Sequence, residues 1–129
     1  MGATYSVSMK VKVTDEKGAI EALKEKIRTD ISTDYGLEEF SKRGVTTESF
    51  DDLIRIFLAG LNDIDIADCG NDVKEYTNDF DASYGWEGVL MEMFSVLAPF
   101  LEDNSRLLIY PDSDYDELIV KDGKSVQIH

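Results

Sequence analysis

The chain is poor in the residues that carry most catalytic and metal chemistry. It holds one cysteine, Cys69, and one histidine, His129. A single thiol excludes an intramolecular disulfide and a four-cysteine metal site. No histidine or basic residue adjoins Cys69 to draw off its proton, so it is expected to be a small strand residue. No run of about eighteen apolar residues is present, which excludes a membrane-spanning helix. The first residues lack the basic-then-apolar pattern of a secretory signal. Neither a glycine-rich phosphate loop nor a serine-centred nucleophile motif occurs. Gly85 and Gly88 flank Trp86, a pattern that serves close packing or a bend at a helix start. These absences lead to the expectation of a cytoplasmic protein without cofactor, and not an enzyme.

Basic residues are also scarce, and unevenly so. The 129 residues hold 27 acids against 13 bases, a net charge of −14. Residues 1–45 hold eight of each and are neutral, whereas residues 46–120 hold eighteen acids and only Arg55, Lys74 and Arg106. The last nine residues add one acid and two bases. Such a surface repels nucleic acid and anionic membranes and attracts basic proteins. Acidity also serves solubility, but generic solubility does not require so steep a division within one small chain.

Residues 3–13 alternate, with Ala3, Tyr5, Val7, Met9, Val11 and Val13 on one side and Thr4, Ser6, Ser8, Lys10 and Lys12 on the other. Period two predicts a long strand with one buried face. Thr14 or Asp15 is placed to cap a helix with the stripe Ala19, Ile20, Leu23, Ile27 and Ile31. Residues 32–45 read as a surface connection. Phe50, Leu53, Ile54, Phe57, Leu58 and Leu61 predict a second helix, capped by Thr46, stapled by Val45 against Phe50 and ended by Gly60. Residues 63–69 and 73–81 predict a strand pair around the turn Gly70-Asn71-Asp72. Trp86, Val89, Leu90, Met93, Phe94, Leu97 and Leu101 form the broadest stripe, with Ser83 as N-cap, Glu87 and Glu92 on the wet side and a kink or last turn at Pro99. Three short strands follow, the last two joined by Asp122-Gly123, the two-residue hairpin signal.

At this length one domain spanning residues 1–129 is expected, large enough to fold without staples. The class is α+β, an antiparallel sheet with helices on one face. In element order, β-α-β-β-α-β plus a C-terminal hairpin, the chain resembles the ferredoxin-like fold.

Carboxylates supply the candidate sites. Asp63, Asp65, Asp79 and Asp81 lie on two strands expected to pair, away from their turn, where alternate residues share a face. Asp112, Asp114, Asp116 and Glu117 form a second cluster. Asp112-x-Asp114-x-Asp116 opens like a calcium loop, but the sixth and twelfth positions hold Glu117 and Gly123 in place of the required Gly and Glu. Neither cluster is assigned a metal. Tyr5, Tyr76, Tyr110 and Tyr115, interleaved with acids, are candidates for a recognition surface, or for cross-strand packing.

In size, acidity and lack of a catalytic motif, the chain resembles the small phage and mobile-element proteins that inhibit CRISPR or restriction systems. That resemblance implies an acidic nucleic-acid mimic that blocks a basic, nucleic-acid-binding partner without binding nucleic acid or membrane. Acids two apart on a strand are spaced at about 6.8 Å, which is two steps of the ~3.4 Å phosphate rise along one DNA strand. The alternatives are a carboxylate-based metal-binding module or hydrolase, and an adaptor or immunity-type protein with a basic partner of another kind.

Overall fold

In the computed structural model, residues 2–30, 42, 46–58, 64–83, 85–110 and 114–129 are described. The elements are β1 (Gly2–Lys12), α1 (Glu16–Asp30), α2 (Phe50–Leu58), β2 (Asp65–Asp68), β3 (Val73–Ser83), α3 (Trp86–Leu97), β4 (Arg106–Tyr110), β5 (Asp116–Lys121) and β6 (Lys124–Gln127). The α+β class is as the sequence predicts. All six strands form one sheet in the order β2-β3-β1-β4-β5-β6, and every neighbouring pair is antiparallel. Strand β3 separates β1 from β2, and β1 separates β3 from β4. Helices make both crossovers.

Strand β1 is interior and pairs along its whole length with β3. Tyr5, Val7, Met9 and Val11 are buried beneath the helices, while Thr4 and Lys10 are exposed on the opposite face. Cross-strand register carries the alternation outward. Met9 lies between Tyr76 and Leu107, and Val7 between Asn78 and Ile109. Leu107 is followed by Leu118 on β5. The helices supply the facing layer through Ala19, Leu23 and Ile27 of α1, Leu53, Ile54 and Phe57 of α2, and Leu90, Met93, Phe94 and Leu97 of α3, all fully buried. Each large aliphatic or aromatic side chain removed from water contributes about 1.5–3 kcal/mol.

Caps fix the helix starts. The Gly18 amide donates to Asp15 Oδ1 at 3.0 Å, so Asp15 caps α1. For α2 the expected Thr46 cap is corrected. Ser49 Oγ accepts from the Asp52 amide at 3.1 Å, and Asp52 Oδ2 accepts from the Ser49 amide at 3.2 Å. This reciprocal pair is a capping box with Asp in place of Glu. The expected Val45 staple, Leu61 and the Gly60 stop lie outside the described residues, as does Ile31. For α3 the expected Ser83 cap is also corrected: the N-cap position is Gly85 at φ 92°, with no side-chain cap bond. A β-strand running through Ser83 delays the helix, and the sharp turn needs a left-handed backbone that glycine adopts without a Cβ clash. The last turn, Ala98–Phe100, is a 3₁₀ helix with Pro99 in its first turn, as Pro99 demands. Asp122 (φ 52°) and Gly123 (φ 74°) make the expected tight hairpin turn.

Polar bonds tie the layers together. Trp86 Nε1 donates to the Phe57 carbonyl at 3.0 Å, and Asn78 Nδ2 to the Leu58 carbonyl at 3.1 Å. These carbonyls are among the last of α2, which lack helical partners. Tyr5 donates to Glu87 Oε2 at 2.6 Å and Tyr76 to Asp51 Oδ1 at 2.5 Å. Glu87 is therefore partly buried against the sheet, whereas Glu92 is exposed as expected and pairs with the buried Lys26 at 2.7 Å. Among the described residues, no helix is long and apolar enough to cross a membrane.

Two outcomes follow from this packing. Met9→Asp is expected to remove the cooperative melting transition seen by circular dichroism. An unpaired charge in the core costs several kcal/mol against a total stability of about 5–15 kcal/mol. An unchanged midpoint would place β1 elsewhere. Burial, then the hydrogen bond to Asp51 and that carboxylate's charge, raises the pKa of Tyr76 above its ordinary 10.0. The folded state thus keeps a proton that the unfolded chain releases, so stability is complete below pH 10.0 and falls as pH rises past it. Urea midpoints measured between about pH 9 and 11 are expected to fall, and to fall less in Tyr76→Phe; pH-independent midpoints in the wild type would contradict the buried placement.

The candidate docking face

The helices cover one face of the sheet, and the register defines the other. One row across it runs Asp65, Thr77, Ser8, Leu108, Glu117. The next row runs Asp79, Ser6, Tyr110, and beyond it stand Asp81 and Thr4. On the other side of the first row lie Ala67, Glu75, Lys10, Arg106, Ile119 and Val126. The face is acidic and hydroxyl-bearing over β2, β3 and the start of β1. It is mixed in charge around Lys10, Arg106 and Glu117, with Leu108, Tyr110, Ile119 and Val126 set among these charges.

Three of the predicted site residues come together here. Asp65 is diagonal to Asp79 across the β2–β3 pair, a separation of about 7–8 Å. Asp79 and Asp81 share a face two residues apart on β3. Asp81 Oδ1 accepts from Thr4 Oγ1 at 2.7 Å. Among the described residues, Asp65 and Asp79 have no side-chain hydrogen bond or ion pair. Both line an open depression of about 490 Å³ on this face, together with Ser6, Ser8, Thr77 and Tyr110. Asp63, expected beside them, lies outside the described residues.

Several other acids have cationic partners. Asp51 meets Lys74 at 3.4 Å, Asp52 meets Arg55 at 3.0 Å, Glu102 meets Lys12 at 3.5 Å and Glu117 meets Arg106 at 3.7 Å. Hydrogen bonds from Ser49 and Thr46 outweigh burial at Asp52 and hold its carboxyl below the ordinary carboxylate value, although burial is the largest single influence and acts upward.

The second predicted cluster does not form one patch. Asp112 lies outside the described residues. Asp114 Oδ1 accepts from the Tyr115 amide at 2.8 Å and lies 3.3 Å from His129 Nε2. These two contacts, the amide first, lower its pKa. Asp116 accepts from Gln127 Nε2 at 2.9 Å. Glu117 points away from Asp116, onto the open face, and pairs there with Arg106. The tyrosines divide as well. Tyr5 and Tyr76 belong to the core, so, of the two readings of the tyrosines, packing holds for this pair. Tyr110 and Tyr115 stack at 5.3 Å, and Tyr115 stacks on His129 at 3.9 Å. His129 is held by that stack and by its amide donating to the Glu117 carbonyl at 3.3 Å. Cys69 is exposed one residue beyond β2.

Sequence reading alone missed the hydroxyls and Tyr110 as part of the depression. Ser6 and Ser8 were legible as a polar face, but nothing local says that β3 and β4 both flank β1. Among the described residues, no three His, Cys, Asp or Glu side chains gather as a metal-holding group. No protein-family model, curated protein or solved structure matches the chain.

Because Asp114 and Asp116 are already engaged within their hairpin, millimolar calcium is expected to leave the melting temperature within about a degree. A cation at a hundred times its Kd would instead add about 2.7 kcal/mol. A clear rise that disappears in Asp114→Asn would contradict this.

Proposed function

We propose that this protein is an acidic binding module that docks through the β2–β3–β1 end of its open sheet face onto a basic, nucleic-acid-binding partner and blocks it. The observation that carries this reading is the pairing pattern of the acids. Carboxylates beside α2 and at the far end of the sheet have cationic neighbours, whereas Asp65 and Asp79 stand without partners beside an open depression. Unneutralised charge on a face that the helices leave bare favours a cationic partner. Three aspartates on one face of two paired strands hold negative charge at intervals close to two phosphate steps. The net charge of −14 supports a protein that repels nucleic acid itself and competes with it for a third molecule.

The module acts by occupancy, without a cofactor and without chemistry of its own, in the cytoplasm. This is the logic of the phage and mobile-element inhibitors of CRISPR and restriction systems that the chain resembles in general character. An adaptor with a basic partner of another kind differs in one respect: nucleic acid does not compete for its partner.

The test compares two triple variants of equal charge loss. Asp65→Asn, Asp79→Asn and Asp81→Asn together are expected to weaken capture of basic proteins from nuclease-treated lysate at least tenfold. The corresponding Glu→Gln changes at Glu16, Glu21 and Glu25 on α1 change it little, since surface charges away from the contact act only through a field screened over ~8 Å at physiological salt. Captured protein should be released by added DNA or RNA. Equal losses in both variants would reduce the acidity to solubility, and capture indifferent to nucleic acid would favour the adaptor.

A further inference from the structure

The acids occupy only part of the open face. Over β4 to β6 the same face carries apolar side chains around the Arg106–Glu117 ion pair: Tyr110 is 47% exposed, Val126 41% and Ile128 52%, with Leu108 and Ile119 partly exposed between them. Charge mimicry alone leaves this half unused. Tyr110 belongs to both halves, since its side chain also lines the depression that holds Asp65 and Asp79.

We infer that the face accepts a protein segment that presents arginine next to aliphatic side chains. The guanidinium enters the depression between Asp65 and Asp79 against the Tyr110 ring, and the aliphatic groups cover Leu108, Ile119, Val126 and Ile128. This rests on the reading of the open face as the docking surface and adds the chemistry of what docks.

The depression suits a guanidinium better than an ammonium. Two carboxylates on neighbouring strands offer several acceptor lone pairs in separate directions, and the Ser6, Ser8 and Thr77 hydroxyls can accept as well. A guanidinium presents five donors in one plane and is more weakly hydrated than an ammonium, so it serves two separated acceptors at a smaller desolvation cost. Its flat face also stacks on an aromatic ring. Tyr110 is positioned for that role, because its stacking on Tyr115, which in turn stacks on His129, limits ring motion. Arginine and aromatic residues are the usual energetic centres of protein interfaces, whereas exposed ion pairs alone add little. A second copy of the chain fits less well, because two molecules of −14 charge repel each other.

The probes are three acetylated, amidated pentapeptides: alternating leucine and arginine, the same with lysine for arginine, and the same with serine for leucine. Each is titrated into ¹⁵N-labelled protein at low and physiological salt, and amide shifts are followed. The leucine–arginine peptide is expected to shift Ser8, Thr77, Asp79 and Tyr110 saturably. It should bind about fivefold more tightly than the lysine peptide, and the serine peptide should bind more weakly at both salt concentrations. Asp65→Asn with Asp79→Asn should cost about tenfold, and Tyr110→Ser, an exposed change whose fold is checked by its spectrum, about fivefold. Equal binding of all three peptides and indifference to Tyr110→Ser, with the aspartate loss retained, would overturn this inference and leave the acidic docking reading intact. Absence of any open-face shift would overturn both. Shifts in the same residues that grow with protein concentration, without peptide, would assign the face to a second copy and also overturn the inference.

Discussion

Strand β1 divides the molecule. Its period of two sends Tyr5, Val7, Met9 and Val11 under the helices and Thr4, Ser6, Ser8 and Lys10 to the other side. Because β1 pairs with β3 on one edge and β4 on the other, that division is copied across the sheet in both directions. A slip of one residue would exchange the faces. It would place hydroxyls and a lysine against Leu23, Leu53 and Phe94, at a cost the helices could not offset. The buried face therefore fixes the register, and the register fixes which acids share the open face.

The core and the charged surface are thus one arrangement seen from two sides. Met9 beside Tyr76 and Leu107 sets the heights of β3 and β4 against β1. Those heights place Asp79 next to Ser6 and Tyr110 in one row. Tyr76 then anchors β3 to α2 through Asp51, and Tyr5 anchors β1 to α3 through Glu87. Two buried hydroxyls, each donating to a carboxylate on a helix, keep sheet and helices aligned. Bonds of this charge-assisted kind contribute about 1.5–3 kcal/mol each. Asp51 and Glu87, on the helical side, are in this way drawn into structural duty. Asp65 and Asp79, on the face the helices do not cover, are left without it.

Most elements were legible because their periodicity is strong. The alternation of residues 3–13, the stripes of α1, α2 and α3 over their described residues and the Asp122-Gly123 turn each appear where the residues place them. Caps were less legible. Several hydroxyl and acidic residues precede α2, and the competition between Thr46 and Ser49 is decided by Asp52 reaching back. At α3 a strand claims Ser83 before it can cap. The candidate site was legible in part. Alternation put Asp65, Asp79 and Asp81 on one face of paired strands, and the turn at Gly70 set the pairing. The same logic applied to Asp114, Asp116 and Glu117 does not produce a patch. Asp116 and Glu117 are adjacent on a strand and so point apart, and local partners take up each charge. Tyrosine roles were not legible from spacing, since Tyr5 and Tyr110 become core or surface according to strand phase alone.

The account stands on the open face being bare in the free protein. Thiol labelling tests this directly in a Cys69→Ser background, with Ser6→Cys reporting the depression and Val7→Cys reporting the covered side. Under native conditions, Ser6→Cys is expected to react at a rate within about tenfold of an unfolded thiol, because strand residues on an uncovered face need no opening step. Val7→Cys is expected to react only through unfolding, and so orders of magnitude more slowly. Comparable, strong protection at both positions would mean that another part of the chain covers the acidic face, and would contradict the account.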